Sequence, residues 1–279
     1  MSELDQLFQS LRASNRKAFM PFVTAGDPDV ATTEVVIREL HQSGADLCEV
    51  GIPYSDPIAD GPVIAASYQR ALDAGFKLSS AMELGSRIAA DASASAMPRV
   101  TMVSYAIIHR IGLPAYIQAA QAAGYAGAIV PDLLSEEAEP MSRLCRDADF
   151  SLIQLVTPTT TRDRQKRIAE LSTGFLYYVS VTGITGERAT LPPDLIDSVG
   201  WLREQTELPI CIGFGISGPE TAAQLAPVAD GLIVGSAIVR RIAEAHAANH
   251  SSSEIAASVG AFARSIREAI DQPTAHVSS

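Results

Sequence analysis

The chain has 279 residues, 47% of them hydrophobic, with 32 acidic and 21 basic side chains and a net charge of -11. This length and hydrophobicity are sufficient for a large core, and we expect one domain spanning residues 1–279, although the length would also permit two. The acidic balance and the absence of a long basic run argue against nucleic acid as a partner. No apolar run approaches eighteen residues, which predicts a cytoplasmic protein that does not enter a membrane.

Short apolar runs, many of them rich in β-branched residues, recur along the chain and are typical of strands buried on both faces. There are eight, at 19–25, 46–52, 99–105, 127–133, 151–157, 175–181, 208–214 and 230–236. Segments of helical periodicity alternate with these runs. The alternation predicts an α/β fold, a (β/α)8 TIM barrel. A doubly wound open sheet is the alternative topology. Such a sheet usually carries a glycine-rich fingerprint after its first strand, and this chain has none there.

Extra helices are predicted at two places. Residues 1–17 should contain a short helix that packs under the barrel, and the long gap between the second and third strands should hold helices within 63–75 and 79–92. From about residue 270 to 279 the periodicity disappears, which predicts a flexible tail.

One carboxylate interrupts the second apolar run. In a strand, Leu47 and Glu49 face one side, and Cys48 and Val50 face the other. The carboxyl ends of barrel strands carry the chemistry, so a Glu49 directed into the barrel mouth would have a raised pKa and would suit general acid/base catalysis. A structural glutamate paired with an arginine is the alternative.

The loop after this strand shifts the balance towards catalysis. Pro53, Pro57 and Pro62 restrict its backbone, and Asp56 and Asp60 add two carboxylates above Glu49. Asp60 is the better catalytic candidate. For Asp56 we prefer a role in capping the next helix or in making a contact.

Glycine and serine follow the last two strands, in IGFGIS (212–217) and IVGSAI (233–238). Backbone amides at helix starts bind phosphate, and these two loops are the usual phosphate site of TIM barrels. A further glycine pair, Gly183 and Gly186, follows the sixth strand. The pattern predicts a phosphorylated small-molecule substrate.

Aromatic residues near the strand ends, Phe22, Tyr105, Tyr177 and Phe214, could line a flat pocket. Most aromatics in such strands pack in the core, and the pattern favours only Phe22 and Tyr177 as pocket residues. A partly aromatic substrate would fit this lining.

The lysines and histidines restrict the chemistry further. The three lysines, Lys17, Lys77 and Lys166, lie outside the predicted strand ends, which argues against a Schiff base or a pyridoxal linkage on this chain. His246 and His250 are four residues apart on a late helix, where a solvated face is expected. No metal site is predicted.

Five motifs occur together and in order: PFVTAGDPD (21–29), EVGIPYSDPIADGPVI (49–64), SVTGITGER (180–188), GFGIS (213–217) and VGSAIV (234–239). With them, the chain resembles the alpha subunit of tryptophan synthase from about residue 3 to the last helix. Any one motif would be weak, but the combination is highly specific.

This resemblance implies a lyase that cleaves indole-3-glycerol phosphate by a retro-aldol reaction to indole and glyceraldehyde 3-phosphate, in tryptophan biosynthesis. It implies a beta subunit as partner, in an alpha2beta2 heterotetramer, with pyridoxal phosphate on that subunit and no cofactor on this chain. A stand-alone lyase that releases free indole would carry the same residues and is the alternative. A sugar-phosphate epimerase and a non-catalytic binding protein are more distant rivals.

The resemblance also implies roles for individual residues. It gives Glu49 and Asp60 the two acid/base roles, and it places Pro53 and Asp56 in the loop that meets the beta subunit. The implied substrate contacts are Phe22, Tyr177, Thr185, Gly186, Phe214, Gly215, Gly235 and Ser236.

One segment departs from the family pattern. Many members carry a Tyr and an Asn after the third strand, where this chain has Ser104, Tyr105 and Ala106. This leaves open whether Tyr105 faces the substrate. The loop at 182–193 keeps its polar character, and we predict that it closes over bound substrate.

Overall fold

The structure is a computed structural model that describes residues 1–57, 60–180, 193–213 and 215–272. Its strands are parallel and coincide with the eight predicted runs, except that β1 begins one residue before its run, at Ala18. They are β1 (Ala18–Thr24), β2 (Cys48–Gly51), β3 (Arg99–Met102), β4 (Gly127–Ile129), β5 (Ser151–Ile153), β6 (Leu155–Val156), β7 (Leu176–Val179), β8 (Ile210–Gly213) and β9 (Gly231–Val234).

The nine strands form a nearly closed barrel in the order β5-β4-β3-β2-β1-β9-β8-β7-β6. The two ends of this order, β5 and β6, are separated only by Gln154, whose carbonyl accepts the N–H of Tyr177 on β7. They are therefore two halves of the fifth predicted run. The TIM barrel predicted from the alternating pattern is confirmed.

Helices surround this barrel, and both predicted additions are confirmed by α1 before the first strand and by α3 and α4 between β2 and β3. The helices are α1 (Glu3–Ala13), α2 (Val30–Gln42), α3 (Pro62–Asp73), α4 (Leu78–Ala89), α5 (Tyr105–Ile111), α6 (Leu113–Ala122), α7 (Glu139–Asp147), α8 (Arg162–Leu171), α9 (Pro193–Arg203), α10 (Pro219–Leu225), α11 (Ser236–Ala247) and α12 (Ser252–Asp271).

The inside and the outside of the barrel form separate apolar layers. Leu47 packs with Phe175 and other inward-facing strand residues, whereas Cys48 and Val50 belong to the layer between strands and helices. Helix α1 closes the inner layer from below, because Leu4 and Phe8 pack in it and the Phe8 ring lies 5.7 Å from that of Phe175. The position predicted for the N-terminal helix is thus correct.

The C-terminal helix extends slightly into the segment predicted to be a tail. Helix α12 starts with a capping box between Ser251 and Glu254 and ends at Asp271, and Ile270 is buried. Residues 273–279 lie outside the described part of the chain, so a flexible tail there stays a prediction. No helix in the ranges that the structure describes is long and apolar enough to cross a membrane.

Candidate active site

Glu49 lies on the inner face of β2 and is completely buried. Neither of its carboxylate oxygens has a hydrogen-bond partner among the described residues, and none of the ion pairs found there includes it. Burial raises the pKa of Glu49 well above its ordinary value. Among the described residues, no arginine pairs with Glu49, as the alternative of a structural glutamate would require, and burial favours the protonated form of this side chain.

Asp60 is the second acid of the site and is only partly exposed. The Tyr54 hydroxyl donates a hydrogen bond to Asp60 Oδ2 at 3.3 Å. The pKa of Asp60 is raised to about 6, because burial and, to a smaller extent, the negative charge of Asp132 raise it more than the Tyr54 hydrogen bond lowers it. A carboxyl group with this pKa is mostly ionised at neutral pH.

Phe22 and Tyr177 lie beside Glu49, as their predicted pocket role requires. Phe22 is the register partner of Glu49 on β1, and Tyr177 faces the barrel interior from β7. Burial, and then the nearby acids Glu49 and Asp60, raise the pKa of Tyr177 well above its ordinary value. The Tyr177 ring therefore lies within electrostatic reach of both acids.

Two glycines make room for these rings. A Cβ on Gly213 would lie 2.3 Å from the Tyr177 hydroxyl, and a Cβ on Gly51 would lie 2.4 Å from Cζ of Phe22. No side chain can occupy either position without displacing the neighbouring ring. Sequence analysis missed both roles, because a glycine at a strand end also reads as a simple turn residue.

The predicted phosphate site lies at the ends of the adjacent strands β8 and β9. Gly215 has a φ of +79°, a conformation that favours glycine. Gly235 is the N-cap of α11 without a side-chain cap, and Ser236 is the first residue of that helix. The first amides of a helix have no carbonyl partner within it, so they are available to an anion. Gly235 also adjoins Phe22, because a Cβ there would lie 3.6 Å from Cβ of Phe22.

A cavity of about 810 Å³ lies between α5 and the loop after β2, which carries Asp56. Pro53, which is buried, and Asp56, which is exposed, both line it, together with Arg110 and Asp132. Asp56 accepts a hydrogen bond from Ser55, and the N-cap of α3 is Gly61 without a side-chain bond. The suggestion that Asp56 caps the next helix is wrong, and a contact role remains.

The departure at residues 104–106 forms the start of α5 rather than the end of a strand. Ser104 accepts the N–H of Ala106, and its hydroxyl donates to Asp132 at 2.7 Å. The Tyr105 N–H also donates to Asp132, at 2.7 Å, and the Tyr105 ring packs against His109. Tyr105 therefore packs in the outer layer and does not join the inner pocket.

Asp132 is a residue that sequence analysis did not single out. It follows β4 and both anchors α5 and raises the pKa of Asp60. Its position near the end of the predicted run 127–133, at a strand's carboxyl end, was the available signal.

Three predicted contacts, Thr185, Gly186 and Phe214, and the loop 182–193 up to its last residue lie outside the described residues. The three lysines are located away from the carboxyl ends of the strands, as predicted: Lys17 precedes β1, Lys77 precedes α4, and Lys166 lies in α8. In the part of the chain that the structure describes, no three His, Cys, Asp or Glu residues are grouped to hold a metal.

The fold and the site define a class of protein, a TIM barrel with an acid pair at the carboxyl ends of its strands, as in acid/base enzymes. The family model described as tryptophan synthase alpha chain matches residues 8–270. The chain is 68% identical to the tryptophan synthase alpha chain of Rhodopirellula baltica over 276 residues, covering 97% of this chain and 99% of the relative. It is 40% identical to that of Caldanaerobacter subterraneus subsp. tengcongensis, covering 97% and 100%.

Solved structures agree with these sequence matches. The crystal structure of tryptophan synthase subunit alpha from Legionella pneumophila superposes with a TM-score of 0.87 at 36% identity, covering 97% of this chain and 99% of that one. A structure of Mycobacterium tuberculosis tryptophan synthase gives 0.86 at 32% identity, covering 98% and 99%. The chain belongs to the tryptophan synthase alpha chain family, whose members are lyases, and it has the alpha-subunit role in tryptophan biosynthesis.

Proposed function

We propose that this chain catalyses the retro-aldol cleavage of indole-3-glycerol phosphate to indole and D-glyceraldehyde 3-phosphate. The observation that carries the proposal is Glu49, a fully buried carboxyl group without a partner among the described residues, at the barrel mouth near Asp60. A buried acid without a compensating contact costs stability, and such costs are typical of residues retained for chemistry.

The reaction moves one proton within the substrate. The bond between indole C3 and the glycerol chain breaks, C3 gains a proton, and the adjacent hydroxyl loses its proton to become the aldehyde. Protonated Glu49 donates to C3, and the resulting carboxylate accepts the hydroxyl proton as the carbon–carbon bond breaks. Glu49 is thereby returned to its starting state, and the raised pKa that burial gives it favours the protonated form that begins the cycle.

Protonation at C3 leaves positive charge on the indole ring, which Asp60 stabilises by accepting the hydrogen bond of the ring N–H. A pKa of about 6 keeps most Asp60 side chains ionised at neutral pH, as this role requires. The different pKa shifts of the two acids thus match their different roles.

The remaining contacts hold the two ends of the substrate. Phe22 and Tyr177 line the indole pocket, and the amides near Gly215, Gly235 and Ser236 bind the phosphate. The position of Phe22 supports this division. Phe22 pairs with Glu49 in the sheet, its ring lies against Gly51, and its Cβ lies near Gly235 at the start of α11.

The partner in this proposal is the tryptophan synthase beta subunit, in a cytoplasmic alpha2beta2 heterotetramer, which family membership supports. Pyridoxal phosphate belongs to the beta subunit, and this chain carries no cofactor. Pro53 and Asp56 contribute to the interface, supported by the adjoining cavity of about 810 Å³.

A single assay tests the function. The purified chain is incubated with indole-3-glycerol phosphate, with and without beta subunit, and indole and glyceraldehyde 3-phosphate are quantified. We expect equal amounts of both products without the partner and a large activation with it. Turnover that the beta subunit leaves unchanged would favour the stand-alone lyase, and the absence of indole in both arms would refute the proposal.

A further inference from the structure

Tyr68 on α3 has a buried hydroxyl that the proposed mechanism does not use. The residue is 1% exposed, and its hydroxyl has no hydrogen-bond partner among the residues described. Buried tyrosine hydroxyls normally find partners, as Tyr116 does with Thr101 at 2.7 Å and Tyr125 with the Ala81 carbonyl at 2.8 Å. Tyr68 departs from this pattern, and it does so beside the two acids of the site.

The Tyr68 hydroxyl reaches the inner face of the barrel beside the acids. Gly51 lies two residues after Glu49 on β2 and therefore faces the same side. A Cβ on Gly51 would lie 2.9 Å from the Tyr68 hydroxyl oxygen, so the missing side chain leaves the space that this hydroxyl occupies. Phe22 borders the same space.

Neighbouring contacts hold Tyr68 in this position. The Ser67 hydroxyl lies 2.6 Å from the Thr24 hydroxyl on β1, which ties α3 to the barrel. The Tyr68 ring packs at 5.5 Å from the ring of Tyr54, whose hydroxyl donates to Asp60. The unpartnered hydroxyl is thus positioned by its surroundings before any ligand arrives.

The electrostatic surroundings keep Tyr68 protonated. Burial raises its pKa well above the ordinary value, and the nearby Asp60, Tyr54 and Glu49 raise it further. A neutral phenol can donate one hydrogen bond, and this one lies near both acids with no acceptor in the described ranges of the chain.

We infer that the Tyr68 hydroxyl is a further substrate contact, which donates a hydrogen bond to a hydroxyl oxygen of the glycerol chain between Glu49 and Asp60. This inference rests on the proposed function. The indole N–H is a donor and is assigned to Asp60, and the phosphate is assigned to the helix amides. The glycerol oxygens are the acceptors that remain for a donor beside Glu49.

The test compares Tyr68→Phe with wild type in the full chain bound to its beta subunit. Two ligands are used: indole-3-glycerol phosphate, and 3-(indol-3-yl)propyl phosphate, which has the same ring and phosphate but no chain hydroxyls. We expect kcat/KM for the substrate to fall by about tenfold, the typical effect of one lost neutral hydrogen bond. The Kd of the hydroxyl-free ligand should change by less than about twofold.

Tyr116→Phe is the matched control, because it removes an equally buried hydroxyl whose partner, Thr101, lies away from the acids. We expect Tyr116→Phe to lower the melting temperature and keep kcat/KM, and Tyr68→Phe to keep the melting temperature and lower kcat/KM. Unchanged kcat/KM in Tyr68→Phe, or an equal loss of affinity for both ligands, would overturn the inference.

Failure of the proposed function gives a different result. If wild type produces no indole, calorimetry of the same two ligands still tests Tyr68, because Tyr68→Phe should weaken binding of the glycerol compound alone. If wild type produces indole and Tyr68→Phe matches it in every measurement, only the inference about Tyr68 fails.

Discussion

Replacement of Glu49 by Gln keeps the size of the side chain but removes its titratable proton. Burial raises the pKa of Glu49 in the folded protein, whereas in the unfolded chain it is about 4.3. Between these two pKa values the folded protein holds a proton that the unfolded chain has released. The free energy of unfolding of wild type therefore falls by about 1.4 kcal/mol for each pH unit as the pH rises through this window.

Glutamine has no such proton, so the stability of Glu49→Gln relative to wild type should rise with the same slope. Between about pH 5 and about pH 7 the gain should be at most about 3 kcal/mol, which is this slope taken over two pH units. The measurement is urea denaturation of both proteins at several pH values. Asp60 is present in both, and its own titration therefore largely cancels in the difference.

The control is Glu83→Gln, which makes the same change at an exposed position on α4. Its stability difference from wild type should stay flat with pH. We also expect Glu49→Gln to lower the rate of indole formation by about 10²- to 10⁴-fold, the range for a lost general acid/base. If the stability difference between Glu49→Gln and wild type stays flat with pH, Glu49 is ionised in the folded protein. If Glu49→Gln keeps most of the activity, Glu49 is not the proton donor.

Three further changes test other parts of the site and its support. Tyr54→Phe removes the bond that lowers the pKa of Asp60, so the acidic limb of the kcat/KM profile should move upward from about pH 6. Arg70→Ala leaves Asp27, which is 2% exposed, without the two bonds of 2.7 and 2.8 Å that Arg70 donates, and should cost about 3 kcal/mol in urea denaturation. Gly215→Ala requires alanine to adopt a φ of +79°, which costs about 1 kcal/mol of stability. We expect the substitution to raise KM several-fold with a smaller change in kcat.

Each of these changes has its own control or contradictory outcome. If the acidic limb of the kcat/KM profile stays in place in Tyr54→Phe, that limb does not report the ionisation of Asp60. Arg167→Ala breaks an exposed ion pair with Glu139 and should cost less than about 1 kcal/mol; an equal loss in Arg70→Ala would contradict the buried-pair argument. A Gly215→Ala enzyme with unchanged KM would place the phosphate elsewhere.

The sequence by itself determined the barrel and the direction of Glu49. Continuous apolar runs separated by helical segments leave few topologies that bury both faces of every strand, and the strict alternation of side chains puts Glu49 on the same face as Leu47. These features depend on local periodicity, which is visible in one dimension. The glycines that follow β8 and β9 were also visible in the sequence, because each comes directly after an apolar run.

Only the tertiary structure decided whether Glu49 has a partner. An arginine from any element could have reached it, but among the residues that the structure describes none does: Arg70 binds Asp27, and Arg99 donates to backbone carbonyls, including that of Gly124. The neighbours of the acids also come from separate elements. Tyr54 and Tyr68 follow β2, whereas Asp132 follows β4. Asp132 meets the others at the barrel mouth because closing the sheet brings its carboxyl ends together, and sequence spacing does not encode that proximity.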